Sequence, residues 1–347
     1  MLSILIGVIH FGGCAWVIMY YMKVDGILIK GSTLVAAGFH VYVFAETVYI
    51  LWSGFYLKLK QKTILSQMTN LYELEENLKK CEINLDYFKI RRKIITMEIV
   101  FVAIKHFLLI IGHFVQPNLN GFEEILLNVV SVFIYLSPTS VNLTYNVFFL
   151  IIGSMLQKVN DKFCEINDNN DIPNKIHKLA NIHQQLTEYI LKTSKIFGFY
   201  SLISLLRHFT LIILQVFSFL LMFIHQDVVY PVLALFFVMV IDAVLTIFVT
   251  IAVGNKCIKE WQRTKSILIN FVLNYKDKAT RKEITALSLQ LFHEYPVISP
   301  LGFFVVDTKL AFAMMSAISM YTIILIQFDT KIDIVKAFLN TSKINEF

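Results

Sequence analysis

Apolar runs of roughly 20 residues, long enough to cross the hydrocarbon of a bilayer as a helix, recur along this chain from end to end. "LSILIGVIHFGGCAWVIMYYM" opens it and "LAFAMMSAISMYTIILIQF" stands near its close. In hydrocarbon every backbone N–H and C=O must be satisfied within its own segment, so runs of this length are helices. The remaining sequence offers no large soluble domain: of 347 residues, 56% are hydrophobic and only 16% charged. The expected class is therefore an all-α membrane protein.

Seven spans are expected: 2 to 22, 33 to 56, 95 to 115, 122 to 156, 197 to 224, 229 to 254 and 310 to 328. The first has no basic segment before it and no small-residue cleavage site after it, which makes it a span rather than a cleaved leader. The fourth exceeds one crossing. Pro138 in "YLSPTS" is expected to kink it, and "LIIGSMLQKVNDKF" to run on into solvent as helix.

Charge sets the orientation, because short translocated loops disfavour Lys and Arg. Loops 57 to 94, 157 to 196 and 255 to 309 hold nine, six and nine of them; 23 to 32, 116 to 121 and 225 to 228 hold two, none and none. That count, 24 against 2, puts the N-terminus and the three long loops in the cytoplasm and the C-terminal tail outside. The arrangement is inverted relative to G-protein-coupled receptors. The net charge of +6 then belongs to a cytoplasmic membrane face, with no nucleic-acid partner. Cys14 falls in a span and Cys81, Cys164 and Cys257 fall on the reducing side, so no disulfide is expected, and no spacing suggests a metal site.

No HExxH, GxSxG, P-loop or GxGxxG motif occurs, and an enzyme is not expected; neither is a cofactor. Internal repeats and paired broken helices are absent too, though a secondary transporter stands as the alternative from another class. Four charges lie near the bilayer midplane: Glu46, Lys105, Arg207 and Asp242, with His106 and His208 beside two of them. Two acids and two bases at one depth point to mutual pairing, either as a structural ion-pair core or as part of a ligand site. In the outer halves, His40, Tyr42, Ser131, Tyr135, Gln215, Ser218 and Tyr230 are candidates to line a pocket, or else serve as interfacial aromatics and helix-to-helix hydrogen bonds.

The last span has its own texture. Ser316, Met320, Ile323 and Gln327 follow at steps of four, three and four, which makes one helical stripe, mildly polar and ending in an amide. Such a stripe suits either a pore wall shared among several copies or a small-residue packing seam. Two Asn-x-Ser/Thr acceptors occur: Asn340 lies in the tail, and Asn142 lies within a span, out of a glycosyltransferase's reach.

The segment "SPLGFFVVDTKLAFAMMSAISMYTIILIQF" resembles the C-terminal signature of insect gustatory receptors, in which Thr-Tyr, five mostly apolar residues and Gln-Phe close the last span. Tyr321, Gln327 and Phe328 match, and Met320 stands where the family has Thr. "ITALSLQLFHEYPVISPLGFF" also resembles the family's approach to that span. The resemblance implies a tastant-gated, nonselective cation channel of the plasma membrane of sensory neurons, working without a G protein. It implies a homo-tetramer or hetero-tetramer whose last helices line the pore, with Gln327 and Phe328 near its narrowest point. It further implies a small-molecule pocket in the outer half between spans two to six, and a cytoplasmic anchor built from helical extensions. The organisation expected is a ligand-binding bundle over 1 to 254, an anchor over 255 to 309, a pore helix over 310 to 328 and an extracellular tail over 329 to 347. An odorant receptor is the neighbouring alternative within the same superfamily. Ligand, permeant cations and bilayer are the partners expected.

Overall fold

The computed structural model describes residues 33 to 115, 121 to 166, 172 to 224, 230 to 274 and 277 to 344, so the first expected span lies outside the described residues. The described residues form helices and no strand: α1 Thr33–Lys80, α2 Tyr87–Val115, α3 Gly121–Cys164, α4 Ile172–Ile224, α5 Tyr230–Asn274, α6 Lys278–His293 and α7 Thr308–Ile344. Every other expected span falls on one of them, with α6 amphipathic and outside the set. Among the described residues, four helices carry windows apolar and long enough to cross a membrane: those of α3, α4, α5 and α7.

The three basic loops are largely helix. At 1.5 Å per residue the 53 residues of α4 reach about 80 Å and the 48 of α1 about 72 Å, against roughly 30 Å of hydrocarbon. The surplus forms a second bundle beyond the spans. Ile64, Leu71, Leu74 and Leu78 of α1 bury there with Leu156, Val159 and Phe163 of α3, Leu179 and Leu186 of α4, Trp261 of α5, and Ile284 and Leu287 of α6. Some polar groups inside it are paired across helices. Asn160 donates to the Glu260 carbonyl at 2.7 Å and accepts from Thr264 Oγ1 at 2.7 Å, and the Trp261 indole donates to Thr187 Oγ1 at 2.9 Å.

Chain reversals are set locally. At the end of α1, Glu82 takes a left-handed φ of 61°, and Ile83 N–H reaches back to the Leu78 carbonyl at 3.0 Å. Ile83 is buried, which anchors the turn by its side chain. Asp277 caps α6 by accepting from Thr280 N–H at 2.9 Å, and Asp307 caps α7 by accepting from Leu310 N–H at 3.0 Å.

Between α6 and α7 the chain folds back on itself. Val306 N–H donates to the Ile298 carbonyl at 2.9 Å, and Leu301 and Gly302 turn the tip with φ of 52° and 81°. This segment, part of the signature quoted above, docks on α4 and α5. A Cβ at Gly198 would lie 3.3 Å from Leu301 N, and one at Gly254 would lie 3.2 Å from Ile298 Cδ1. Both glycines stand at the edges of the spans read from sequence, so the turn sits where membrane bundle and extension bundle meet.

Candidate functional site

Glu46, Tyr49, Ser53 and Tyr56 step along α1 by three, four and three, and Tyr200, Ser204 and His208 step along α4 by four and four. These stripes meet inside the membrane bundle. Arg207 grips Glu46 with two hydrogen bonds, from Nε to Oε2 and from Nη2 to Oε1, the second at 2.6 Å. Both side chains are 8% exposed. The guanidinium also lies 4.8 Å from the Tyr49 ring centroid, a cation–π contact removed from water.

Histidine 208 reads the same cluster. Its Nε2 lies 2.9 Å from Arg207 Nη1, and its Nδ1 lies 2.6 Å from the Ser204 carbonyl oxygen. A guanidinium has only donors, so Nε2 accepts and the ring proton sits on Nδ1, donated to Ser204. His208 is neutral in this arrangement. Around it, Tyr49 and Tyr200 hydroxyls lie 2.7 Å apart, and Tyr200 donates to the Pro138 carbonyl at 2.9 Å. Ser204 Oγ is 3.4 Å from Asn142 Oδ1, and Asn142 Nδ2 is 3.5 Å from the Tyr49 hydroxyl.

A cavity opens among these groups, lined by Tyr49, Phe101, Pro138, Thr139, Asn142, Arg207, His208, Asp242 and Thr246. A water centre has about 20 Å³ to occupy there, against the ~10–15 Å³ that one water needs. That is room for about one water and too little for an organic ligand. Occupation by a larger molecule requires the surrounding helices to separate.

The sequence placed four charges at this depth. Glu46 and Arg207 pair directly, and Asp242, 5% exposed, lines the same cavity as Arg207. Lys105 and His106 lie on α2 with side chains outside the described residues, as do those of His40 and Tyr42 on α1 and of Ser131 and Tyr135 on α3. Gln215 is buried and donates to Met239 Sδ at 3.7 Å, Ser218 is half-buried, and Tyr230 stands 78% exposed at the start of α5. Sequence reasoning missed Tyr49, Asn142, Tyr200, Ser204 and Thr246.

Helix α7 presents two faces. Leu310, Ala311, Met314 and Ile318 pack against the core, and Thr322 and Asp329 continue that face buried. Tyr321 meets α4 edge-on at Phe209, with ring centroids 6.3 Å apart. Ser316, Met320, Ile323 and Gln327 all point away from the bundle, as does Phe328. Only 6% of the α7 apolar window is buried, against 39 to 56% in the other three membrane-length helices.

Helices long and apolar enough to cross a bilayer, a water-sized cavity inside the membrane bundle and, among the described residues, one largely uncovered apolar helix define the class: a polytopic helical membrane protein. The 7tm chemosensory receptor profile matches residues 1 to 332. The chain belongs to that family. Its fold is similar to that of the insect olfactory receptor OR5 from Machilis hrabei, with a TM-score of 0.70, 12% identity, and 93% of this chain and 88% of that one covered. The structure of the same receptor in complex with eugenol matches with a TM-score of 0.62 at 11% identity, covering 93% and 88%. No curated protein sequence matches significantly.

Proposed function

We propose that the chain is a tastant-gated cation channel of the gustatory type, assembled as a tetramer around its α7 helices. The observation that carries this is the stripe Ser316, Met320, Ile323 and Gln327, which faces away from its own subunit on a helix with little else to cover it. A pore shared by several copies gives that face an aqueous neighbour, and one copy cannot enclose a pore. The Tyr321, Gln327 and Phe328 spacing favours a gustatory over an odorant role.

The ligand site in this reading is the cavity beside Arg207 and Glu46. OR5, similar in fold, has been captured with eugenol, a small organic molecule. Here a ligand larger than water binds only a bundle whose helices have moved apart, so it favours that state over the closed one. That differential affinity is what shifts a gating equilibrium. The inverted orientation, with the N-terminus inside, is part of the same proposal.

Two measurements test it. Single-channel recording from the reconstituted chain should show ohmic steps carrying far more ions than a carrier turns over, whereas macroscopic flux without steps would favour a transporter. Calcium imaging of expressing cells against a tastant panel and a volatile panel should give responses to the first. Responses confined to volatiles would assign the odorant role instead.

A further inference from the structure

A second internal space adjoins the Arg207 cavity and shares Asn142, His208 and Thr246 with it. It lies between α3, α4 and α5, where polar residues recur at helical steps: Asn142 and Tyr145 on α3, Ser201 and Ser204 on α4, Thr246 and Thr250 on α5. Of its nine lining residues, Leu205 and Ile247 are the two apolar ones. A water centre has about 10 Å³ to occupy there, the lower end of the ~10–15 Å³ that one water needs. Polar walls of this kind hold water, whereas apolar cavities stay dry.

One group on this wall lacks a partner. Tyr145 is 3% exposed, and its hydroxyl meets no hydrogen-bond partner among the described residues. The ring is not free to aim it elsewhere, because Phe149 and Phe197 flank it with centroids 4.8 and 5.8 Å away. Neighbouring polar groups are already engaged: Asn142 with Tyr49 and Ser204, His208 with Arg207 and the Ser204 carbonyl, Thr246 with the Asp242 carbonyl. Ser201 and Thr250 bring two further hydroxyls to the wall, each able to donate and to accept. A buried hydroxyl without a partner costs free energy, and one water bonded to two or three such groups offsets that cost.

We propose that this space is an internal water site, in which Tyr145, Ser201 and Thr250 hold one water that ties α3 to α4 and α5. Its position gives it a task. A Cβ at Gly254, one turn past Thr250, would lie 3.9 Å from the Tyr145 hydroxyl and 3.2 Å from Ile298 Cδ1, so the site stands between the Arg207 cavity and the hairpin that leads into α7. Parting these helices to admit a ligand breaks the bonds of the water, which therefore helps to hold the bundle closed. That consequence rests on the channel reading; the site itself does not.

The test uses the purified full chain in lipid nanodiscs. Cryo-electron microscopy at a resolution that shows ordered waters should place density within hydrogen-bond reach of Tyr145 Oη and of the Ser201 or Thr250 hydroxyl, and Tyr145→Phe should lose it. The unfolding midpoint of Tyr145→Phe should fall by roughly 2 °C, the loss of about one hydrogen bond. Removing a hydroxyl that bonds to nothing would instead be neutral or stabilising. Thr250→Val should fall similarly, and the two together by less than the sum, since both act through one water. In planar bilayers Tyr145→Phe should raise the open probability without ligand about fivefold, the same loss read as a population. Should Tyr145→Phe fail to fold, the parent map and Thr250→Val carry the decision. No density in a parent map that shows waters elsewhere in the bundle, or a Tyr145→Phe midpoint at or above the parent's, overturns the site. Density and a lowered midpoint with unchanged ligand-free current support the site and overturn its part in gating. A parent that passes no current overturns the channel reading alone.

Discussion

The Arg207 guanidinium is held between the Glu46 carboxylate and the face of Tyr49, so one charge joins α4 to α1 by an ion pair and by a ring contact. Removing one member of such a pair leaves the other charge buried alone, at a cost of ~3–5 kcal/mol. Arg207→Ala is therefore expected to cut the yield of folded chain at the cell surface severalfold, and Glu46→Gln to do the same less steeply. The double variant Glu46→Leu with Arg207→Met removes both charges and should recover much of the loss. Detergent-solubilised unfolding midpoints measure all three. Undiminished expression of Arg207→Ala would mean that the arginine faces a wet cavity and needs no partner.

The second prediction concerns the hydroxyls around that pair. Tyr49→Phe keeps the ring under Arg207 but removes the oxygen shared by Tyr200, Ser204 and Asn142. Loss of one buried, multiply bonded hydroxyl costs ~1–3 kcal/mol. The cation–π contact stays, so Tyr49→Phe should fall well short of Arg207→Ala. In agonist titrations it should shift the midpoint while leaving the maximal current intact; an unchanged midpoint would remove Tyr49 from the ligand site.

The third tests the gate. Phe328 is 57% exposed on α7 and Gln327 lies beside it on the uncovered side. If several copies bring these residues to one axis, Phe328→Ala removes an apolar plug and should raise current without ligand. Gln327→Glu adds a ring of charge and should shift reversal potentials toward cations. Wild-type conduction in both variants, at normal surface levels, would place the constriction elsewhere.

The membrane-length windows of α3, α4, α5 and α7 were legible because roughly 20 apolar residues in a row read as a bilayer crossing. Of the extension bundle the residues gave only the run-on of α3, and the resemblance the rest, although a further signal was present. Ile64, Gln67, Leu71, Leu74 and Leu78 follow at three, four, three and four, a helical stripe inside a stretch read for its lysines, and all five are buried. The charges of the site were legible singly, since each is costly in a membrane. That they pair was legible as well, but not which acid meets which base: Glu46 and Arg207 stand 161 positions apart, and only the register between α1 and α4 decides that they meet. Tyr49, Asn142 and Ser204 were missed because hydroxyls and amides are common in spans. The steps from Glu46 to Tyr49 and from Tyr200 to Ser204 and His208 carried the hint.

The fourth prediction uses His183, on the α4 extension 14 residues before the span that begins at 197, or about 21 Å along the helix. Its ring is 1% exposed, lies 5.9 Å from that of Trp261, and has no partner on either nitrogen among the described residues. Burial holds its pKa down, to about 4. In the unfolded chain it returns to ~6.5, so as pH falls the unfolded state takes up the proton first. This contribution to stability is complete above ~6.5, declines as pH falls toward the folded value, and is lost below it, with a total on the order of 3 kcal/mol. Unfolding midpoints from pH ~7.5 to ~4.5 should drop more for the parent than for His183→Leu. Parallel curves would show that His183 finds a partner or water when charged.

The fifth prediction tests the orientation on which the pore assignment depends. Helix α7 does not stop at the end of its span but continues to Ile344, carrying Asn340 in its last turns, 12 positions past Phe328. If the tail is outside, Asn340-Thr341-Ser342 meets the glycosylation machinery during synthesis, while Asn142 does not: it is half-buried inside α3 with its amide against Tyr49. A glycan removed by Asn340→Gln would thus fix the tail outside. An epitope placed after Phe347 carries the decision. Staining of intact cells is expected. Staining only after permeabilisation would put the tail in the cytoplasm, make the number of spans even or the N-terminus external, and remove the basis for reading the three basic segments as cytoplasmic.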